Sequence, residues 1–270
     1  MAESVSLPPQ IERRAAAPWS VRVLSASPYA LEAYATFCAD AAIYAPPQHP
    51  HWIKSWLHDA GRNGLVAFLN RNGVPVMAAG LEVIEKGPLR VARFAGGSHA
   101  NGNFPALHPD FASDVTRHAE AMKGLLNGIS TMRPDVDLLA LERQRRHFQQ
   151  LPNPFLALPH ATSPNLALSA DLTSGFDHLL QSGSGKRRRK KYRSQLRKLE
   201  AAGGFRRFAA SSEHEVDDLL DRFFMLKRER LERKGLADAF GETHTRESLR
   251  RLFRAALAEP VPPFVLHGLE

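Results

Sequence analysis

The residues best placed to do chemistry begin with Arg93-Phe94-Ala95-Gly96-Gly97-Ser98, directly after a stretch patterned as a strand. Glycines at a strand-to-helix turn free backbone N–H groups to hold a phosphate, helped by the dipole of the helix that follows. About a dozen residues separate this run from the next helical pattern, so a plain glycine-rich connection is the competing reading. His99, Asn101, Asn103 and His108 in the same loop could line a substrate pocket or simply be solvated. The carboxylates on offer as a general base are Glu82, Glu85 and Glu142. Each sits on or at the end of a predicted strand, where a solvated or paired role is the alternative. No Ser/His/Asp or Cys/His arrangement follows from spacing, so no catalytic residue is assigned. The lone cysteine and scattered histidines give no zinc spacing, and no metal is expected.

Charge provides the second signal. From Lys186 to Arg207 there are eleven Lys/Arg against Glu200 alone, a local charge of +10 in a chain of net +8. The rest of the chain therefore sums to −2, and the basicity is a local feature. Arg188, Arg189 and Arg193 on this run, with Lys227 and Arg230 on the next predicted helix, are candidates to hold an anion such as a nucleotide, a nucleotide-sugar or an acidic polymer. A solvated helix face is the bland reading. Nucleic acid is disfavoured, because aromatic interleaving is limited to Tyr192 and no known binding module frames the run. Trp52 and Trp56 lie one helical turn apart, as a packing pair or a sugar-stacking platform.

These residues need elements to position them. A strand over Trp19–Leu24 precedes a helix capped by Ser27 with Pro28 at its first position. Leu31, Tyr34, Phe37, Cys38 and Ala41 share one face of it. A short helix carries the two tryptophans. Next, Leu65–Leu69 and Val74–Ile84 flank Asn70-Arg71-Asn72-Gly73 as a hairpin, with a third strand over Leu89–Phe94. A helix from about Phe111 to Ser130, with Val115, Met122, Leu125, Leu126 and Ile129 inward, precedes a strand at Val136–Leu141. The proline-rich stretch 151–165 reads as a linker. Beyond it come a strand at Leu166–Leu172, the basic helix with its stripe Tyr192, Leu196 and Leu199, and a strand at Phe205–Ala209. A helix follows with a Ser212/Glu215 capping box and an inward face of Val216, Leu219, Leu220, Phe223, Leu226 and Leu231. A last helix over Arg246–Ala258 leads to a strand at Pro263–Leu269.

The 270 residues suit one large domain or two smaller ones, and 43% hydrophobic residues suffice for a packed core. No apolar run approaches the roughly 20 residues that cross a bilayer. Residues 1–18 read as a loose leader without a signal-peptide pattern. The single Cys38, among apolar neighbours, reads as a packed thiol in a reducing compartment, the cytoplasm.

The order strand, helix, helix, hairpin, strand, loop, helix, strand resembles the GCN5-related N-acetyltransferase (GNAT) fold. Three segments, SPNLALS (163–169), KRRRKKYRSQLRKLEAAGG (186–204) and FFMLKRERLERKG (223–235), are similar to the BioF2-like or CelD-like acetyltransferases of polysaccharide biosynthesis, relatives of the Fem aminoacyltransferases. APPQHPHWIKSW (45–56) and the closing FVLHGLE add to the likeness. The resemblance implies an α/β fold of tandem GNAT-like units with mixed, mostly antiparallel sheets: a leader at 1–18, a first unit at 19–150, a linker at 151–165 and a second unit at 166–270. It implies that the second unit stops before the family's CoA-binding half. It also implies transfer of an acyl group from acetyl-CoA or another acyl-CoA to an amine or hydroxyl, with a saccharide as one acceptor class, by direct attack on the thioester. Arg93, Gly96, Gly97 and Ser98 would then be the CoA loop, with Ser98 where Gly or Ala is usual in the family. The alternative is an inactive accessory protein that uses the basic helix to hold an anionic partner.

Overall fold

A computed structural model describes residues 19–40, 43–164, 168, 170–181 and 184–270. The 1–18 leader and most of the strand expected at 166–172 lie outside the described residues. Leu168, Ala170, Asp171 and Leu172, which are described, carry no strand pairing.

Strand β1 (Trp19–Ser25) leads to α1 (Pro28–Ala39), where Ser27 accepts from the Ala30 N–H at 3.2 Å, as its spacing anticipates. Helix α2 (Pro50–Trp56) follows, and then β2 (Gly64–Arg71) and β3 (Val74–Lys86) meet at the Asn72-Gly73 turn. Both turn residues have positive φ (51° and 83°), which that dipeptide tolerates best. Strands β4 (Leu89–Phe94) and β6 (Leu138–Ala140) complete the order β1-β2-β3-β4-β6, while the short β5 (Ala106–Leu107) pairs with β3 beyond the reach of β4. Every pairing is antiparallel except β4 with β6, which are joined by a crossover through α3 (Pro109–Ser113) and α4 (His118–Met132).

The single helix expected from Phe111 is therefore two, broken around Asp114. Val115 lies in the break and is 55% exposed rather than inward. Asp114 ends α3 with its N–H on the Phe111 carbonyl, and its side chain takes the Thr116 hydroxyl at 2.7 Å. Such local side-chain bonding competes with continuous helix.

Alternation along β2 sends Leu65, Ala67 and Leu69 to one face and Val66 and Phe68 to the other. The first face meets Met122, Leu125 and Ile129 of α4, and the second meets Tyr34 of α1 with Ile53 and Trp56 of α2. Helices on both faces explain why β2 reads as an unbroken apolar run. Gly80 of β3 admits α2 to this packing, since a Cβ there would lie 2.5 Å from Ile53 Cδ1.

The first part of the expected linker packs on the sheet instead. Past a small ribbon of β7 (His147–Phe148) and β8 (Leu151–Pro152), Pro154–Ala157 form a 3-10 turn that drives Phe155 into the core beside Phe94. The burial offered to Phe155 outweighs the four prolines that mark the stretch as open chain.

Helix α5 (Gly175–Gln181) packs on α6 (Gly185–Ala201). A third core then forms around α7 (Glu213–Glu232) and α8 (Thr243–Leu257), beside the antiparallel pair β9 (Arg207–Ala209) and β10 (His267–Leu269). Here Val216, Leu220 and Phe224 are buried. Leu226, expected inward, is 59% exposed.

Candidate functional site at the junction of the two helical layers

Helix α2 touches the sheet on one side and α8 on the other, and most of the chemically able groups gather there. His49 caps α2: its Nδ1 accepts from the His51 N–H at 3.1 Å, which requires a neutral ring with its proton on Nε2. Burial pushes the His49 pKa down to about 4, and the neighbouring His51 pushes the same way against a weaker pull from Glu259. His51 lies parallel to His49 at 5.2 Å and reaches Glu259, just past α8, at 3.1 Å. Arg251 on α8 reaches back to Asp59 at 3.1 Å. The ring of Phe264 meets His49 edge-on.

Trp52 and Trp56, on one face of α2, are stacked at 5.9 Å with planes 1° apart. Trp52 Nε1 donates to the Ala95 carbonyl at 3.0 Å. Trp56 Nε1 donates to Glu82 Oε2 at 2.8 Å. The other oxygen of Glu82 accepts from Arg93 Nε at 3.0 Å, so this nearly buried carboxylate is held from two directions. Tucked against Trp56 is His99, which also touches Phe240, while His244 of α8 meets Trp56 edge-on at 5.1 Å. Burial lowers the pKa of His99, against a backbone hydrogen bond with Ala239 that raises it.

The Arg93–Ser98 run has a clear structural task. Gly96 and Gly97 are left-handed (φ 106° and 44°), and a Cβ on Gly96 would lie 2.6 Å from the Trp52 ring. One on Gly97 would lie 2.5 Å from the Arg93 guanidinium. The glycines thus make room for two side chains. The turn ends in Gly97–His99, whose Gly97 and Ser98 carbonyls face Arg143 Nη1 at 3.4 and 2.5 Å. The crossover helix α4 starts only at His118, far along the chain, so its dipole does not serve this turn. As folded, these residues do not fit a pyrophosphate cradle.

The loop histidines and asparagines do not converge on one pocket. His99 faces the junction, Asn101 is exposed, and His108 caps α3 by accepting from the Asp110 N–H at 3.4 Å. Asn103 is buried where β4 and β6 part beyond Phe94 and Ala140. Its N–H donates to the Arg143 carbonyl at 2.9 Å, and its carbonyl accepts from the Arg145 N–H at 3.0 Å. Its Nδ2 also donates to the Ala100 and Glu142 carbonyls.

Elsewhere, Cys38 is a packed thiol, pushed up to about 12 by burial. Lys227 lies over its own helix's Phe223 ring at 5.5 Å, and Arg230 is exposed. Arg188, Arg189 and Arg193 sit on α6, which packs against α5, with Arg188 Nη1 on the Leu179 carbonyl at 3.2 Å.

Residues 186–266, from α6 through α8 to the start of the last strand, match a model of the acetyltransferase (GNAT) domain. That segment is GNAT-like. The mixed, mostly antiparallel sheet of residues 19–140 lies outside that match. No curated protein matches the chain. Among solved structures, it is similar to a ribosomal-protein-alanine N-acetyltransferase from Brucella melitensis (14% identity, 56% of this chain, 100% of that one, TM-score 0.33). It is similar too to a glucosamine-6-phosphate N-acetyltransferase from Arabidopsis thaliana (6%, 56%, 99%, 0.31) and to a predicted acetyltransferase from Clostridium acetobutylicum solved with acetyl-CoA (11%, 57%, 98%, 0.32). TM-scores of this size transfer no residue role.

GNAT acetyltransferases use acetyl-CoA. The junction contains several residues that sequence patterns pass over. Buried Gln48 accepts from the Gly80 N–H at 2.8 Å and donates to the Gly80 carbonyl at 3.1 Å, closing the strand where β4 and β5 leave β3 uncovered. Arg143, Phe240 and His244 come from loops and from a helix start far away in sequence. Only their chain-distant contacts mark them, and no local period could.

Proposed function

We propose that the chain acts as a CoA-dependent acyltransferase, passing an acetyl or other acyl group to an amine or hydroxyl. The match of residues 186–266 to a GNAT domain carries this reading, and a mixed, mostly antiparallel sheet flanked by helices is compatible with it. Acetyl-CoA is the proposed co-substrate, and the reaction is direct attack of the acceptor on the thioester. A thioester intermediate on the protein is not favoured, because the one thiol, Cys38, is buried among apolar groups and its pKa is raised. In this reading the chain holds two GNAT-like units, 19–150 and 166–270, in the cytoplasm, with the α2–α8 junction as their meeting point. The acceptor side is proposed at the Trp52, Trp56 and His99 cluster, whose flat rings and neutral imidazole suit a saccharide amine or hydroxyl.

Calorimetric titration of the full chain with acetyl-CoA, coupled to detection of free CoA thiol over a panel of amino sugars and amines, tests the proposal. Saturable heat and acceptor-dependent thiol release are expected. Absence of both, with no thermal shift, would sink it.

A further inference from the structure

Helix α6 carries nine Lys/Arg in seventeen residues. Eight of them, Lys186, Arg187, Arg189, Lys190, Lys191, Arg193, Arg197 and Lys198, have no acidic partner within 4.0 Å among the described residues. At 100° per residue, Lys186, Lys190, Arg193 and Arg197 (i, i+4, i+7, i+11) make one row along the helix. Arg187, Lys191 and Lys198 make a second row around its back. Between the rows, on the remaining side, runs the apolar stripe of Tyr192, Leu196 and Leu199.

Helix α5 covers that stripe only in part. Tyr192 meets Phe176 edge-on at 5.3 Å, and a groove of about 640 Å³ between the helices is floored by Phe176, Leu179, Leu180 and Tyr192. Lys191 and Arg188 stand among its lining residues. Large apolar groups here stay in water: Leu172 is 66% exposed, Phe176 55%, Tyr192 41% and Leu199 37%. A polyanion such as nucleic acid would use the cations and leave these side chains wet. A surface that offers anionic headgroups above an apolar layer satisfies both at once.

We propose that the α5–α6 arm is an interfacial anchor that lays the protein on an anionic lipid bilayer, with its Lys/Arg rows on the headgroups and Leu172, Phe176, Tyr192 and Leu199 at the acyl boundary. Among the described residues no helix is long and apolar enough to span a membrane, so the contact is peripheral. Each Lys or Arg at such a surface strengthens binding about fivefold, and the attraction falls with salt within a Debye length. The arm shares no residue with the Trp52, Trp56 and His99 cluster proposed for the acceptor, so the two proposals are tested separately.

The experiment is co-sedimentation of the full chain with vesicles of phosphatidylcholine alone or mixed with phosphatidylglycerol. Binding to the mixed vesicles only, weakening as salt rises, is expected. The variant K186Q/K190Q/R193Q/R197Q keeps good helix formers and should bind several hundredfold more weakly, on the order of four fivefold steps, with unchanged helical circular dichroism. Phe176→Ser should remove the fraction that survives high salt. Equal binding to neutral vesicles, no binding to the mixed ones, tighter binding to an oligonucleotide at equal charge, or no effect of Phe176→Ser would each overturn the proposal.

Discussion

Two basic regions of this molecule use the same side chains to opposite ends. On α8, Arg250 reaches Asp221 at 2.5 Å, Asp217 at 3.3 Å and Glu247 at 3.6 Å; Arg254 bonds Asp217 as well and lies 3.9 Å from Glu213; Arg246 pairs with Asp238. Beneath them Leu220, Phe224, Leu252 and Ala256 are buried. On α6 the eight cations other than Arg188 have no acid within 4.0 Å among the described residues, and no α6 side chain joins one of the buried apolar clusters. The two also differ at their positive ends. Helix α7 opens with Glu213 and Glu215 and is capped by Ser212, as the helix dipole favours. Helix α6 opens with six successive cations and has no side-chain cap. Charge count alone therefore says little about role. What separates a structural arginine from one available to a partner is an acid on the facing element and apolar area below.

The sharpest test of that contrast lies in the layer beneath the charges. Leu252→Ala removes a side chain that is 2% exposed and should cost about 2–5 kcal/mol. Leu199→Ala on α6, where the side chain is 37% exposed, should stay within about 0.5 kcal/mol. Urea denaturation of both variants measures the difference. Similar losses would mean that α6 rests on a core after all.

The charged layer should show a smaller effect. Hydrogen bonds from Arg254 first, then the charge of Arg254 and the contact with Arg250, hold the Asp217 carboxyl below the usual carboxylate range. Asp217 is partly solvated, so Asp217→Asn should cost only about 1 kcal/mol at neutral pH. The sign follows from the lowered pKa. The contribution is complete above the ordinary carboxylate value and fades as pH falls through the depressed native one. Thermal melts across the acid range should therefore bring wild type and Asp217→Asn together as pH drops. A gap that widens on acidification would refute the pairing.

How far the sequence could anticipate this contrast is instructive. Period and turn chemistry located the Asn72-Gly73 hairpin, strand Leu89–Phe94 and the three C-terminal helices, because those signals are local. The capping box shows where locality ends: Ser212 accepts from the Glu215 N–H as anticipated, but the Glu215 carboxylate turns to the N–H and hydroxyl of Ser211. On α7 the apolar face continues through Leu226 to Leu231 in sequence, yet full burial stops at Phe224, and coverage by a partner element is invisible in a periodic pattern. At the junction, Trp52 and Trp56 were legible as a pair. Their acceptors Ala95 and Glu82, and the rings of His99, Phe240 and His244, depend on how distant elements meet. The glycine run beside Arg93 looked like a phosphate loop because the same residue pattern serves any close backbone approach, here that of two side chains.

The smallest predicted effect concerns the helix ends themselves. A charge in the first turn typically shifts helix stability by about 0.3–1 kcal/mol, with acids favourable and cations unfavourable. Lys186 sits in the first turn of α6 among like charges, so Lys186→Glu removes an opposing charge and supplies a favourable one. Amide hydrogen exchange over the first half of α6 should slow by about two- to fivefold. On α7 the mirror change, Glu213→Lys, should speed exchange of the first turn, since it replaces an acid that agrees with the dipole. Added salt should shrink both effects, because screening weakens interactions between exposed charges. If Lys186→Glu leaves exchange unchanged while Glu213→Lys accelerates it, the crowded cations of α6 are not straining their helix, and their mutual repulsion carries no energetic cost for an anionic surface to relieve.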